Sequence, residues 1–512
     1  MGIALKRSAI SPNIKERMDH SCAVVDAQGN VVAQAEHIPV HLGSFRIGIR
    51  NTLKWLEEHN QTLEEGDMLI LNDPYISGTH LNDVMIMAPV YQSNDLLAYV
   101  VNKAHNVDVG GPVFGSMNPN AKTIFEEGFV IPPTKIQRGN EINREMVALI
   151  TENFKDRETA IGDLNAQMAA NRTGISKIKD LFQRYGSQDV TKGWDKAIEH
   201  AEQLAKTEFG EWRKGEFEAF DFLEKDHERI RISVILRVEQ DKITADFAGT
   251  SEQVEYPINA VFGVSYSATA YAVRSFMKID LPTNEGFYRL VEVSAPEGSL
   301  LNPKKPAAVS AGNTETAQRI ADVVLSALGK CMPEKAVANS SGTMMSTLVG
   351  GKRKDGRLWA YIETIGGGNG ARPTGPGVSG VQSNMTNTMN TPIEIAEREY
   401  PLFFTAYKLR ENSGGSGKFK GGEGIIRSFK VLSPTMVSII GDRFLISPKG
   451  VFGGAPGKHA TVRIIRKGRI REMPSKFSEM LEPQDEVIIM TSGGGGYGKR
   501  NSSNQQRASK HG

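Results

Sequence analysis

The chain lacks cysteine pairs, long apolar runs and blocks of one charge, and each absence removes a class of function. Its two cysteines, Cys22 and Cys331, cannot build a disulfide framework, which excludes a small cross-linked secreted scaffold. The longest apolar runs, MLILN (68–72) and EVIIMT (486–491), are strand-sized and far short of the ~20 residues that span a bilayer. The start, MGIALKRSAISPNIKERMDHS, has no apolar core of a secretory signal. A soluble, cytoplasmic protein without membrane contact is expected. Lysine and arginine (61) nearly balance aspartate and glutamate (59), leaving a net charge of +2 with no long single-sign block. Nucleic acid is therefore not an implied partner. Also missing are GxxxxGK[ST] and any GxGxxG joining a strand to a helix, so the chain shows no nucleotide motif of its own.

What is present is a change of periodicity along 512 residues, long enough for several cores. Residues 1–150 read as strands and turns: CAVVDAQGNVVAQ (22–34) is a hairpin pattern with a Gly-Asn turn, and MLILNDPY and LLAYVVNKA are further strands. SFRIGIRNTLKWLEEHN (44–60) has helical spacing, with Ser44 placed to cap it. Residues 151–215 carry two long helical patterns, 159–186 and 193–212. Residues 216–350 mix strands, such as 229–250, with a helix near 314–330 that buries Ile320, Val323, Val324 and Leu328. Residues 351–498 are glycine-rich strands, the glycines reading as structural tight turns, and 499–512 form a polar tail expected to be disordered. The expected fold class is α+β, multi-domain and strand-rich with a central helical segment. Cys22, inside CAVVDAQGNVVAQA, reads as a buried structural thiol rather than a nucleophile, because a reactive thiol needs an accessible, electropositive setting.

The chemistry-bearing pattern is a repeated His-x-x-Asp, in NDPYISGTHLND (72–83) and NKAHNVDVGG (102–111). Six of the ten histidines (His20, His37, His41, His59, His80, His105) fall in the first 105 residues; His59, in the polar helical run WLEEHNQ, reads as a surface residue. Imidazole with carboxylate suits zinc, manganese or iron, and three protein ligands leave open positions as a catalytic site requires. A single His-x-x-Asp reads equally as a hydrogen-bonded turn; on residues alone, both readings stand for the doublet.

The same segments carry a resemblance. NDPYISGTHLNDVMIMAPVY, NKAHNVDVGGPVFGSMNPNAKTIFEEGFVIPPTKI, SPNIKERMDHSCAVVDAQGN, AEHIPVHLGS, EGSLLNPKKPAAVSAGNTETAQR, YIETIGGGNGARP, TNTMNTPIEIAEREYP, ENSGGSGKFKGGEGIIRSF and TSGGGGYG resemble, in order, blocks of the hydantoinase B/oxoprolinase family over residues 4–498. The resemblance implies a divalent metal (Zn, Mn or Fe) held by His80, Asp83 and His105. Asp19 would be general base or fourth ligand, Asp108 would stand around the metal or substitute as a ligand, and His41 and Asp73 would line the same pocket. It further implies hydrolysis of a cyclic amide (hydantoin, oxoproline or lactam), with ATP and Mg bound by a hydantoinase A-type ATPase partner in a hetero-oligomer. The alternatives are an ATP-dependent carboxylase of the acetone or acetophenone type and a non-catalytic scaffold component. Two departures stand out: relatives carry a further helix before LKRSAISPNIKE, so this chain begins late, and His20 replaces an aromatic residue beside Asp19.

Overall fold

The structure, a computed structural model, describes residues 1–35 and 37–500. Residues 501–512, most of the expected polar tail, lie outside the described residues. Strands whose residues are apolar at nearly every position need cover on both faces, and Met68–Leu71 (MLIL) and Asp83–Gln92 (DVMIMAPVYQ) obtain it. They sit inside a seven-stranded antiparallel sheet in the order Val31–Gln34, His20–Asp26, Asp95–His105, Asp83–Gln92, Met68–Leu71, Thr134–Arg138, Glu141–Ile142. Alternate side chains go to opposite faces. Leu69, Leu71, Met85, Met87 and Val101 join a large core built with the helices Pro39–Glu58, Phe262–Phe276 and Ala317–Cys331. Met68, Ile70, Val84, Ile86 and Val100 face the other way, under the long helix Arg157–Tyr185.

Three further sheets complete the α+β architecture. Gly215–Lys225, Glu228–Val238, Ile243–Asp246 and Val291–Ser294 form the second, its last pair parallel. Leu358–Thr364, Ser346–Lys352, Thr435–Ile440 and Lys476–Leu481 form the third, and Leu402–Arg410, Gly424–Val431, Glu486–Met490, Thr461–Arg466 and Arg469–Met473 the fourth. The last two enclose a core of their own around Trp359, Phe429, Val437 and Ile489. No described helix is long and apolar enough to cross a membrane.

The long helical patterns appear as Arg157–Tyr185 and Ser187–Glu211, and Ile320, Val323, Val324 and Leu328 are all buried. Three sequence expectations need correction. Ser44 is not a cap: the helix starts at Pro39, because proline fits its first turn, and the Ser44 hydroxyl donates to the His41 carbonyl inside it. The helix expected from 314 opens instead with a π-turn, Gly312–Thr316, before Ala317–Cys331. The C-terminal glycine clusters are mostly not tight turns. A Cβ at Gly368 would meet the Gly422 carbonyl oxygen at 1.9 Å and one at Gly494 would meet that of Asn369 at 2.0 Å, and neither has positive φ. Glycine is required there because backbone segments distant along the chain lie in direct contact, cross-linked by Gly415 N–H to Gly494 O (2.8 Å), Gly494 N–H to Gly422 O (2.9 Å) and Gly422 N–H to Asn369 O (2.8 Å).

Candidate metal centre

Strands Asp83–Gln92 and Asp95–His105 form a hairpin turning at Ser93 and Asn94, both with positive φ (51° and 71°), the conformation a tight two-residue turn demands. From that turn Gln92 opposes Asp95 and Tyr91 opposes Leu96; an irregularity at Val90/Tyr91 then inserts one residue, so that Val90 opposes Ala98 and Asp83 opposes His105. Without the extra residue His105 would face Asn82, and every side chain beyond would be displaced by one position. The bulge is what places the carboxylate of the first His-x-x-Asp beside the imidazole of the second.

His80 arrives by a different route. The short helix Pro74–Ser77 ends at Gly78, which takes φ +84°, and the following turn, closed by Asp83 N–H to the His80 carbonyl (3.1 Å), brings His80 back over its own aspartate. His80 Nε2 lies 3.3 Å and His105 Nδ1 3.5 Å from Asp83 Oδ1, and the two rings meet edge to face with centroids 5.0 Å apart. One ligand atom from each of the three residues can be chosen so that all lie within 4.8 Å of one another, and all three residues are buried. Ligands ~2.1 Å from a tetrahedral ion stand about 3.4 Å apart, so these spacings match a coordination shell. Hydrogen bonding does not account for them: among the described residues His80 Nδ1 and Nε2, His105 Nε2 and Asp83 Oδ1 have no hydrogen-bond partner. Buried polar atoms are seldom left so, and the donor set fits a divalent cation.

Asp83 is held on its other oxygen. His41, from helix Pro39–Glu58, places Nε2 3.2 Å from Asp83 Oδ2 and Nδ1 3.2 Å from the Ser21 hydroxyl, and Asn313 of the π-turn donates to the same Oδ2 at 3.4 Å. Burial alone would raise the Asp83 carboxyl; the imidazoles of His80, His41 and His105 outweigh it and hold the group well below the usual carboxylate range. Asp83 is thus an anion ready to ligate. Asp19 reaches the site from just before the neighbouring strand His20–Asp26, where its carbonyl accepts from His105 N–H (3.0 Å) and its Oδ2 lies 3.7 Å from His105 Nδ1. Met18, at φ 57°, makes the sharp bend before it, a conformation uncommon for a residue with a side chain. A narrow cavity gathers Arg17, Asp19, His41, His80, Asp83, His105, Asn313, Ser346, Thr364 and Thr386 around this point.

Two residues expected near the metal stand elsewhere. Asp108 accepts from Gly110, Gly115 and Lys155 backbone N–H (2.9–3.1 Å) and pairs with Lys155 Nζ at 3.2 Å, closing its own loop. Asp73 caps helix Pro74–Ser77 and pairs with Lys305 Nζ at 2.6 Å. The second His-x-x-Asp therefore contributes its histidine to the cavity, while its aspartate folds the loop. Cys22 is buried, its thiol pushed up to about 12 by burial, which removes it as a nucleophile. Sequence reasoning missed Asn313 and the buried Lys103. The Lys103 ammonium donates to the Ser44 hydroxyl (2.8 Å) and the Ser77 carbonyl (2.7 Å), tying two helices beside the site, and burial lowers its pKa to about 7. Its position two residues before His105, on the same strand face, was the available signal.

A family model described as hydantoinase B/oxoprolinase matches residues 1–500. The chain belongs to that family. It is 45% identical over 498 residues to an uncharacterised protein of Methanocaldococcus jannaschii, covering 97% of this chain and 87% of that protein. Over 526 residues it is 36% identical to 5-oxoprolinase 1 of Arabidopsis thaliana, covering 97% of this chain but 40% of the relative, so it spans less than half of that enzyme's length. The B component of a putative D-/L-hydantoinase of Pseudomonas is 28% identical over 497 residues, with 93% and 83% covered. Among solved structures, an ATP-dependent caprolactamase from Pseudomonas jessenii superposes with a TM-score of 0.91 at 26% identity, over 99% of this chain and 90% of that one. A nucleotide-free acetone carboxylase chain gives 0.91 at 17% identity, over 99% and 75%, a likeness of fold.

Proposed function

We propose that this hydantoinase B/oxoprolinase family member is the metal-holding component of an ATP-dependent enzyme that opens cyclic amides, working in a hetero-oligomer with a hydantoinase A-type ATPase that binds ATP and Mg. The observation that carries the reading is the convergence of His80 Nε2, His105 Nδ1 and Asp83 Oδ1 at coordination spacing in one cavity, with His80 Nε2 and Asp83 Oδ1 lacking any hydrogen-bond partner among the described residues. The names of the relatives, 5-oxoprolinase, D-/L-hydantoinase and ATP-dependent caprolactamase, support the substrate class.

An amide carbonyl resists water because resonance stabilises it. Transfer of the ATP γ-phosphoryl group to the carbonyl oxygen at the partner yields ADP and an electrophilic carbon. Water then adds to that carbon, the ring C–N bond breaks as the nitrogen takes a proton, and hydrolysis of the resulting acyl phosphate by a second water releases phosphate and the ring-opened carboxylic acid. The divalent metal that His80, Asp83 and His105 would hold supplies Lewis acidity and a more acidic water at neutral pH. Asp19 takes the proton from the attacking water, and His41 and Asn313 keep Asp83 oriented.

The test is to co-express the chain with its A-type partner, assay metal content, and follow ADP and ring-opened product from 5-oxoproline, hydantoin and caprolactam. His80→Ala and His105→Ala are expected to lose both metal and turnover. Bicarbonate-dependent consumption of a ketone without ring opening would replace the hydrolase with a carboxylase; variants with full metal and activity would leave a scaffold.

A further inference from the structure

Four arginines are among the largest fully buried side chains of the described residues: Arg17, Arg319, Arg427 and Arg443. Three meet carboxylates directly. Arg427 grips Glu363 through two bonds of 2.6 and 2.8 Å, Arg443 pairs with Asp322 at 2.7 Å and Asp221 at 3.2 Å, and Arg319 pairs with the same two aspartates at 3.3 Å. Arg17 does not. Its NH1 donates to the Asn13 side-chain oxygen and the Ile362 carbonyl, and its NH2 to the Thr364 hydroxyl (3.0 Å) and the Thr388 hydroxyl (3.4 Å), all neutral acceptors. Asp19 Oδ2 stands 3.9 Å from the guanidinium, a long ion pair beyond hydrogen-bond range. Its Nε–H has no partner among the described residues. A guanidinium withdrawn from water without a bonded counter-charge is costly, and here it lines the cavity of His80, Asp83 and His105.

A second donor waits beside it. Ser346, fully buried in the same cavity wall, begins a strand in register with Thr364, the residue that receives Arg17, and its hydroxyl is also unpartnered among the described residues. Two orphaned donors, one charged, thus share a cavity with the candidate metal ligands.

We propose that Arg17 and Ser346 bind the phosphoryl oxygens of the activated substrate, making this cavity specific for an O-phosphorylated amide or acyl phosphate over the free cyclic amide. This rests on the reading that substrate arrives phosphorylated. The guanidinium is always charged and offers directional donors, which suits phosphate oxygens. The hydrogen-bonded anion that Arg17 lacks, with Asp19 only at ion-pair distance, is the substrate's phosphoryl group.

Inorganic phosphate is the probe. Calorimetric titration of the metal-loaded assembled enzyme is expected to show phosphate binding that weakens at least tenfold in Arg17→Met, with partial recovery in Arg17→Lys and unchanged metal content in all. Ser346→Ala is expected to weaken phosphate about threefold while keeping or raising thermal stability, because it deletes an unsatisfied buried hydroxyl; a purely structural serine would not alter phosphate affinity. Equal phosphate affinity in wild type, Arg17→Lys and Ser346→Ala, or no binding by wild type, overturns the proposal. Arg17-dependent phosphate binding in an enzyme that opens no ring upholds the anion site and sinks the hydrolase reading instead.

Discussion

Asp83 divides its work between its two oxygens. Oδ2 is occupied by His41 and Asn313, and Oδ1 is left facing His80 and His105. Removing the charge should therefore empty the site: Asp83→Asn is expected to lose bound metal at least ~10-fold, measured by inductively coupled plasma mass spectrometry on protein whose circular dichroism is unchanged. His41 would reach a metal only through the candidate ligand Asp83, so His41→Ala should weaken metal affinity by about 10–100-fold, read by competition with a chelator. Asp19→Asn should behave differently. If Asp19 is the proton acceptor proposed above, a fall in kcat of ~10²–10⁴ with metal content retained is expected; a variant that loses metal and activity together would make Asp19 a ligand instead.

At the scale of elements, the glycine clusters and the helices make opposite demands of the same residue. A Cβ at Gly494 would stand 2.0 Å from a backbone oxygen that its own neighbours hold in place, so Gly494→Ala is expected to cost more than ~3 kcal/mol and to lower the melting temperature sharply. Gly193 lies inside helix Ser187–Glu211 with nothing within 4 Å of a Cβ. Gly193→Ala should stabilise by up to ~1 kcal/mol, seen as a higher urea midpoint. The repeated glycines were visible in the sequence, but their reason was not, since contact between backbones far apart along the chain leaves no local pattern. The helices and the apolar strands were legible because periods of 3.6 and 2 are written into single segments. The register of the hairpin was hidden, because the one-residue bulge at Val90/Tyr91 has no distinctive residue to announce it.

The whole molecule carries a buried polar seam between the second and third sheets, where Arg319 and Arg443 meet Asp221 and Asp322. Glu315, on the π-turn beside Asn313, adjoins it. Burial, then the nearby Asp442 carboxylate, push Glu315 from an ordinary 4.5 up to about 8, against the opposing pull of Lys476 and the Met344 N–H (3.2 Å). The folded state therefore retains a proton that the unfolded chain releases. Its contribution to stability is fully present below pH 4.5 and is lost as pH rises through about 8, at up to ~1.4 kcal/mol per pH unit. Asp322 and Asp442, each raised to about 7 chiefly by burial, act with the same sign. Glu315→Gln should flatten the wild-type decline between pH 5 and 8 in denaturant titrations; parallel pH profiles would remove Glu315 from the account.

By itself the sequence determined the class of the protein. Helical and strand periods, the want of cysteine pairs and apolar spans, and the His-x-x-Asp doublet with its family resemblance are properties of short segments, and short segments report on themselves. Which of those residues come together was decided only by the tertiary structure. The hairpin bulge seats Asp83 opposite His105, the bend at Met18 brings Arg17 and Asp19 to the same cavity, and the loop around Lys155 draws Asp108 away. Coordination needs atoms held a few ångströms apart, and that distance is set by pairing between distant strands, which no stretch of the chain encodes alone.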